Sequence, residues 1–246
     1  MTRARHQARR LADALRARGA TVLEIPAIAI EPPPSYAPLD AALREIAAYQ
    51  WLIVTSANGV ETLRTRMAEL GISPTAFAHL QIAAVGSATA TALREAGLFV
   101  ALTPKEYVAE SLVDSLGTRV VGQRVLLVRA MVARDVIPDA LRQRGATVDV
   151  VDAYRTVIPT ESVTAVRTIF ASGARPPDAA TFTSSSTVTN FLALLRVAQV
   201  ERPSTMKAVS IGPITTATLR ENGWGPAAEA DPHDLSGLIA AVLRAL

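Results

Sequence analysis

The sequence predicts an α/β protein built from two related halves, each a doubly wound parallel sheet. Three observations predict it: an internal repeat, a regular alternation of apolar runs with helix-period segments, and glycines placed where helices should stop. Alternation of strand and helix is the pattern of parallel sheets covered on both faces.

The repeat comes first. Arg16-Ala17-Arg18-Gly19-Ala20-Thr21-Val22 returns as Arg142-Gln143-Arg144-Gly145-Ala146-Thr147-Val148, 126 positions later. Val85-Gly86-Ser87-Ala88-Thr89 and Ile211-Gly212-Pro213-Ile214-Thr215 keep that spacing, as do Leu93-Arg94-Glu95-Ala96-Gly97 and Leu219-Arg220-Glu221-Asn222-Gly223. Thr55-Ser56-Ala57-Asn58-Gly59-Val60 matches Thr183-Ser184-Ser185-Ser186-Thr187-Val188 at 128. Four blocks in one order at nearly one offset indicate duplication.

Helix-like segments cover 5–18, 36–48, 58–70, 87–96 and 107–116, then 134–144, 160–171, 186–198, 213–222 and 235–245. Gly19, Gly71, Gly97, Gly145 and Gly223 stand where a left-handed residue ends a helix. Strand-like runs are Val22–Ile25, Trp51–Thr55, Gln81–Val85, Arg124–Val128, Val148–Val151, Ala179–Thr183 and Lys207–Ile211. Most are continuously apolar, as strands buried on both faces should be.

The proline run Glu31-Pro32-Pro33-Pro34-Ser35-Tyr36-Ala37-Pro38 reads as an extended crossing, and Thr156-Val157-Ile158-Pro159 is its repeat equivalent. Two crossings place residues 1–30 and 157–246 in one domain and 31–156 in the other. One half departs from the pattern. Arg129 follows a full strand, whereas its repeat partner Arg3 follows only Met1 and Thr2, so the first strand of that copy is nearly absent: either the native start lies upstream, the favoured expectation, or the first domain lacks a complete strand.

Composition removes several function classes. The chain of 246 residues has no cysteine, which excludes disulfides, thiolate metal sites and a cysteine nucleophile. It shows no signal-peptide pattern and no run of 18 apolar residues, so a cytoplasmic protein away from the membrane is expected. The net charge of +3 suits an acidic small molecule, but no basic block of the kind that tracks nucleic acid is present. Neither GxxxxGK[ST] nor GxGxxG occurs. His6 and His79 read as surface residues, while His233, just before a helix, reads equally as a cap or a site residue. Asp149, Asp152 and Asp178 read as solvated or capping.

Chemistry is expected beyond the carboxyl ends of the strands. There the sequence places Thr55-Ser56, Gly86-Ser87-Ala88-Thr89, Thr183-Ser184-Ser185-Ser186 and Gly212-Pro213-Ile214-Thr215, each opening a helix. Helix N-termini offer free N–H groups and partial positive charge to carboxylates, hydroxyls add donors, and glycine permits close approach. Ordinary N-capping accounts for any one of these sites alone. Tyr154, beside the second crossing, can aim a hydroxyl at the same region or serve as a core tyrosine. Arg129, Arg134 and Lys207 are expected near that face.

Taken together, the blocks around Ser56, Thr89, Ser184 and Thr215, the stretch Val151-Asp152-Ala153-Tyr154-Arg155-Thr156 and the closing Ala230-Asp231-Pro232-His233-Asp234-Leu235-Ser236-Gly237-Leu238 resemble uroporphyrinogen-III synthases along nearly the whole chain. The resemblance implies two flavodoxin-like domains joined by a two-stranded hinge. It implies a cofactor-free enzyme acting on hydroxymethylbilane, a linear tetrapyrrole with eight carboxylate arms, and closing it with ring D inverted. A monomer is expected separately, because nothing in the sequence resembles an oligomerisation heptad. By the same resemblance Tyr154 is the donor to the leaving hydroxyl, and Ser56, Thr89, Ser184, Ser186, Lys207 and Thr215 bind substrate carboxylates. Asn58 and Ser185 depart from the family pattern, and Ser185, where proline is common, is expected to loosen its turn. Two other classes stay open: a tetrapyrrole- or anion-sensing regulatory domain of the same fold, and a two-lobed solute-binding protein.

Overall fold

The structure is a computed structural model that describes residues 5–171 and 173–246, with side chains of the first helix from residue 9 onward. Arg3 and the side chain of His6 lie outside the described residues. In chain order the elements are α1 (Arg5–Arg16), β1 (Ala29–Glu31), α2 (Ala37–Arg44), β2 (Trp51–Val54), α3 (Ala57–Leu70), β3 (Gln81–Ala84), α4 (Ser87–Glu95), β4 (Val100–Leu102) and α5 (Ala109–Leu116). They continue with β5 (Arg124–Ala130), α6 (Val136–Gln143), β6 (Thr147–Val157), α7 (Thr160–Ile169), β7 (Ala179–Phe182), α8 (Ser185–Ala198), β8 (Lys207–Ser210), α9 (Pro213–Glu221), β9 (Ala228–Glu229) and α10 (Leu235–Ala245). Backbone contacts divide the chain into a continuous unit, Ile30–Thr156, and a split unit made of the residues up to Ala29 together with Val157–Leu246.

The continuous unit carries a sheet in the order β1-β6-β5-β2-β3-β4. The pairs β5–β6, β5–β2, β2–β3 and β3–β4 are all parallel. Apart from β1, this is the 2-1-3-4-5 order of flavodoxin-like sheets, entered by the chain at the third strand. The continuously apolar runs become strands because both faces are covered. Leu52, Val54, Leu126 and Val128 join the core under α2, α3 and α4. Trp51, Ile53, Val125 and Leu127 turn the other way, into the core under α5 and α6. The order reverses between β5 and β2, so the topological switch point lies at their carboxyl ends.

The split unit has a three-stranded parallel sheet in the order β7-β8-β9. Phe182, Ala208 and Leu219 pack on one face, with Phe182 and Phe191 edge-on at 5.8 Å between centroids. Val209, Leu11, Leu15 and Leu238 pack on the other, where α1 and α10 meet.

All the expected helical segments are helices, within a few residues at their ends. The five expected stop glycines have φ between 67° and 84°, the left-handed region, and Gly71 returns its N–H to the last turn of α3. The expected strand Val22–Ile25 is not one: residues 20–26 carry no regular structure. Its repeat counterpart, the start of β6, takes its ladder from β5. The strands that apolar patterning did not predict, β1, β4 and β9, are two or three residues long and only partly buried. Among the described residues no helix is long and apolar enough to cross a membrane.

Candidate functional site

In the continuous unit the carboxyl edge of the sheet gathers polar groups around the switch point. After β2, Ser56 adopts extended backbone and caps α3, its Oγ accepting the Gly59 N–H at 3.1 Å. Gly59 is needed there: a Cβ would come within 3.3 Å of the Val54 side chain and 3.4 Å of Ser56 Oγ. Next to β5, β6 carries a register shift between the pairs Arg129–Asp152 and Ala130–Tyr154. The extra residue breaks the in–out alternation, so Ala153 and Tyr154 are both buried. Tyr154, 8% exposed, donates its hydroxyl to Ser56 Oγ at 3.1 Å. Ser56 thus accepts two hydrogen bonds, which leaves its own proton for a third group.

Arg129 stands at the same edge. Its Nη1 pairs with Asp135 at 2.8 Å and donates to the Arg134 carbonyl at 3.3 Å. Its buried Nε has no partner among the described residues, so one N–H of a largely buried guanidinium is uncommitted. Thr103, just past β4, has a buried hydroxyl in the same condition. Arg134 is exposed and reaches Glu110.

The turn after β3 is built differently from expectation. Gly86 is the cap position of α4, Ser87 and Ala88 face solvent, and Thr89 is 4% exposed beneath the first turn. What this turn offers a ligand is the Ser87 hydroxyl and the free N–H groups of α4, because the third helical residue points back onto the strand. Beside Gly86 lies the exposed Tyr107, its Cβ 3.7 Å from where a glycine Cβ would be.

The split unit repeats this plan. Ser184 caps α8 in a capping box: its Oγ accepts the Thr187 N–H at 3.3 Å, and the Thr187 hydroxyl accepts the Ser184 N–H at 3.2 Å. Ser184 Oγ and the exposed Ser186 Oγ lie 3.0 Å apart. Ser185 does not loosen the turn. Thr218 of α9 donates to it at 2.8 Å, and Ser185 itself donates to the Ile214 carbonyl at 3.4 Å, so it ties α8 to α9. At α9, Gly212 caps and Pro213 occupies the first turn. Thr215 is 4% exposed, again at the third helical position, while Ile214 faces solvent. His233 lies over Gly212, its ring 3.3 Å from a hypothetical Cβ, and its Nδ1 contacts the Ala230 carbonyl at 2.8 Å. Asp234 then caps α10; the Gly237 N–H and the Ser236 hydroxyl hold its carboxyl below the ordinary range.

Lys207 is not brought to this edge. It is the first residue of β8, and its Nζ donates to the Ala245 carbonyl at 2.6 Å. Ser210, at the end of the strand that leads to the α9 turn, is three residues further on, about 10 Å at 3.3 Å per residue. The parallel strand runs away from it, which a reading of "strand end" alone does not distinguish. Asp149 is not a cap: its partly exposed carboxylate accepts from Tyr49 at 2.8 Å and Arg124 at 2.9 Å, at the amino edge of the sheet. Burial and that hydrogen bond push the Tyr49 hydroxyl up to about 12.

Sequence reasoning missed Tyr107 and Thr103. Tyr107 was within reach of it, since it stands 126 positions before His233 and both rings cover the glycine of a strand-to-helix turn.

The fold and site define a duplicated, doubly wound α/β protein with helix N-termini and hydroxyls at the carboxyl edges of its sheets. The profile of uroporphyrinogen-III synthase (HemD) matches residues 9–240. A uroporphyrinogen-III synthase of Synechococcus elongatus is 38% identical over 250 residues, covering 98% of this chain and 92% of the relative. A porphyrin biosynthesis protein HemD of Ruminiclostridium josui is 32% identical over 213 residues, 86% of this chain and 41% of that longer protein. The crystal structure of a mutant uroporphyrinogen III synthase from the extremely thermophilic bacterium Thermus thermophilus shares the fold, with a TM-score of 0.64 at 24% identity over 96% of this chain and 92% of that one. The chain belongs to the uroporphyrinogen-III synthase family.

Proposed function

We propose that this protein converts hydroxymethylbilane to uroporphyrinogen III with loss of water. The observation that carries the reading is the Tyr154 hydroxyl held at 3.1 Å from the capping Ser56, at the switch point of the continuous unit. A neutral phenol beside a helix N-terminus can give a proton to a leaving hydroxyl, and the nearby N–H groups favour the anionic arms of the substrate. Loss of the ring A hydroxyl as water leaves an azafulvene. Ring D attacks it through its substituted carbon, and the resulting spiro intermediate fragments and recloses with ring D inverted. The proton lost from the ring carbon on closure balances the one given to the departing hydroxyl.

Spontaneous closure leaves ring D uninverted, so the protein's contribution beyond proton transfer is to hold the chain in the reactive fold. In this reading Tyr154 is the proton donor. Ser56, Ser184 and Ser186 bind carboxylates through hydroxyls, and the turns holding Thr89 and Thr215 do so through backbone N–H groups. The single chain is the working unit, and a free small molecule is its substrate.

The test supplies freshly generated hydroxymethylbilane, oxidises the products and separates the porphyrin isomers. Mostly isomer III is the expected result. Isomer I alone, from folded protein, would sink the proposal.

A further inference from the structure

Arg129 is the penultimate residue of β5, at the switch point of the continuous unit. The Thr55 N–H is bonded to the Val128 carbonyl, so Arg129 stands beside the chain that leads into Ser56. Val125 and Leu127 point under α5 and α6, and alternation turns Arg129 the same way, toward the start of α6. Its side chain is 13% exposed. Its contacts among the described residues use one nitrogen: Nη1 pairs with Asp135 at 2.8 Å and donates to the Arg134 carbonyl at 3.3 Å. Nε is buried without a partner, and Nη2 has no hydrogen bond among the described residues.

The unused edge identifies what this arginine accepts. The Nε–H and one N–H of Nη2 lie side by side on the planar guanidinium, a fork that takes both oxygens of a carboxylate. Arg155 also has a buried, unpartnered Nε, but its Nη2 is occupied by Glu31 at 2.8 Å, so its fork is not open in this way. The ion pair that Arg129 does make is a weak one: Asp135 is 62% exposed, and a partner in water contributes little. Asp135 stands at the cap position of α6 without making a side-chain cap, so the helix does not hold it there. Asp152, the register partner of Arg129 on β6, forms no ion pair with it among the described residues, and Arg134 is engaged with Glu110. A buried N–H without an acceptor has lost its hydration and regained nothing, so exchanging Asp135 for a two-oxygen acceptor is favourable.

We propose that Arg129 binds a carboxylate arm of the substrate through Nε and Nη2, and leaves Asp135, its resting partner, as it does so. The identity of the ligand rests on the synthase reading. Asp135 then competes with the substrate for the arginine, which a purely structural ion pair does not do.

The experiment compares the parent with Arg129→Met, Arg129→Lys and Asp135→Asn. Binding of uroporphyrinogen III is measured by anaerobic ultrafiltration, KM and kcat for hydroxymethylbilane in the isomer assay, and folding by urea titration. Arg129→Met should raise Kd and KM by about 10–100-fold with kcat within about threefold of the parent. Arg129→Lys keeps the charge without the fork and should fall between. Asp135→Asn should leave Kd and KM unchanged or lower them by up to about fivefold. A structural ion pair predicts that losing either partner weakens binding alike, and that outcome overturns the proposal. So does a folded Arg129→Met protein that binds within about twofold of the parent, or a parent that does not bind uroporphyrinogen III. If Arg129→Met does not fold, the sign of the Asp135→Asn effect decides. A parent that binds uroporphyrinogen III but yields only isomer I sinks the synthase reading, and the same variants still decide the arginine contact.

Discussion

Tyr154 and Ser56 make a pair whose structural and chemical contributions separate. Tyr154→Phe removes one neutral hydrogen bond, and Ser56 keeps its bond to the Gly59 N–H. The expected loss of stability is about 1 kcal/mol. Ser56→Ala removes the cap of α3, about 1 kcal/mol, and strands a tyrosine hydroxyl that is 8% exposed, about 1–3 kcal/mol more. The double variant strands no hydroxyl and should therefore cost less than the sum of the singles, by about 1–3 kcal/mol, readable in urea titrations. Activity divides the two residues differently. If Tyr154 gives the proton, Tyr154→Phe should lower kcat by about 10²–10⁴ while the protein stays folded. Ser56→Ala leaves that proton in place and should act mainly on KM. A Tyr154→Phe protein within about threefold of the parent in kcat would refute the assignment, whatever its stability.

Two further predictions concern the scaffold. Gly237→Ala should destabilise the split unit by about 3 kcal/mol in thermal or urea unfolding, because its Cβ would fall 1.9 Å from the Pro232 carbonyl oxygen; Gly59→Ala, where the neighbour is a side chain at 3.3 Å, should cost less. Tyr49→Phe should lose about 1 kcal/mol near neutral pH. The Tyr49 pKa is raised in the folded state to about 12, so its contribution is full below the unfolded value near 10 and disappears as pH rises to about 12. The stability gap between parent and variant should close over that window.

What the sequence revealed follows from which signals are local. Helix stops were readable because each needs a left-handed residue, and glycines such as Gly71 and Gly145 supply it. Strands β2 and β5 were readable because burial on both faces makes them wholly apolar. Strand formation at Val22–Ile25 was misread because a strand also needs a neighbour, which no local pattern reports. The capping roles of Ser56 and Ser184 followed from position, one residue before a helix. Burial of Thr89 and Thr215 did not, since it depends on which way the first helical turn faces. The proximity of Tyr154 to Ser56 depends on a register shift between β5 and β6 and is invisible in one dimension. Lys207 shows the converse: a residue type suited to anions, placed by strand direction at the wrong end.

The chain order of the two units has a consequence for synthesis. Residues Ile30–Thr156 form one uninterrupted unit, whereas α1 packs against α10, more than 200 residues later. On a ribosome adding about 5–20 residues per second, the continuous unit is complete several seconds before α10 emerges. During that interval Leu11 and Leu15 have no apolar cover from Leu238 and Val242. The nascent chain therefore carries a finished half and an exposed, sticky helix, and the helix that relieves it is made more than 200 residues later.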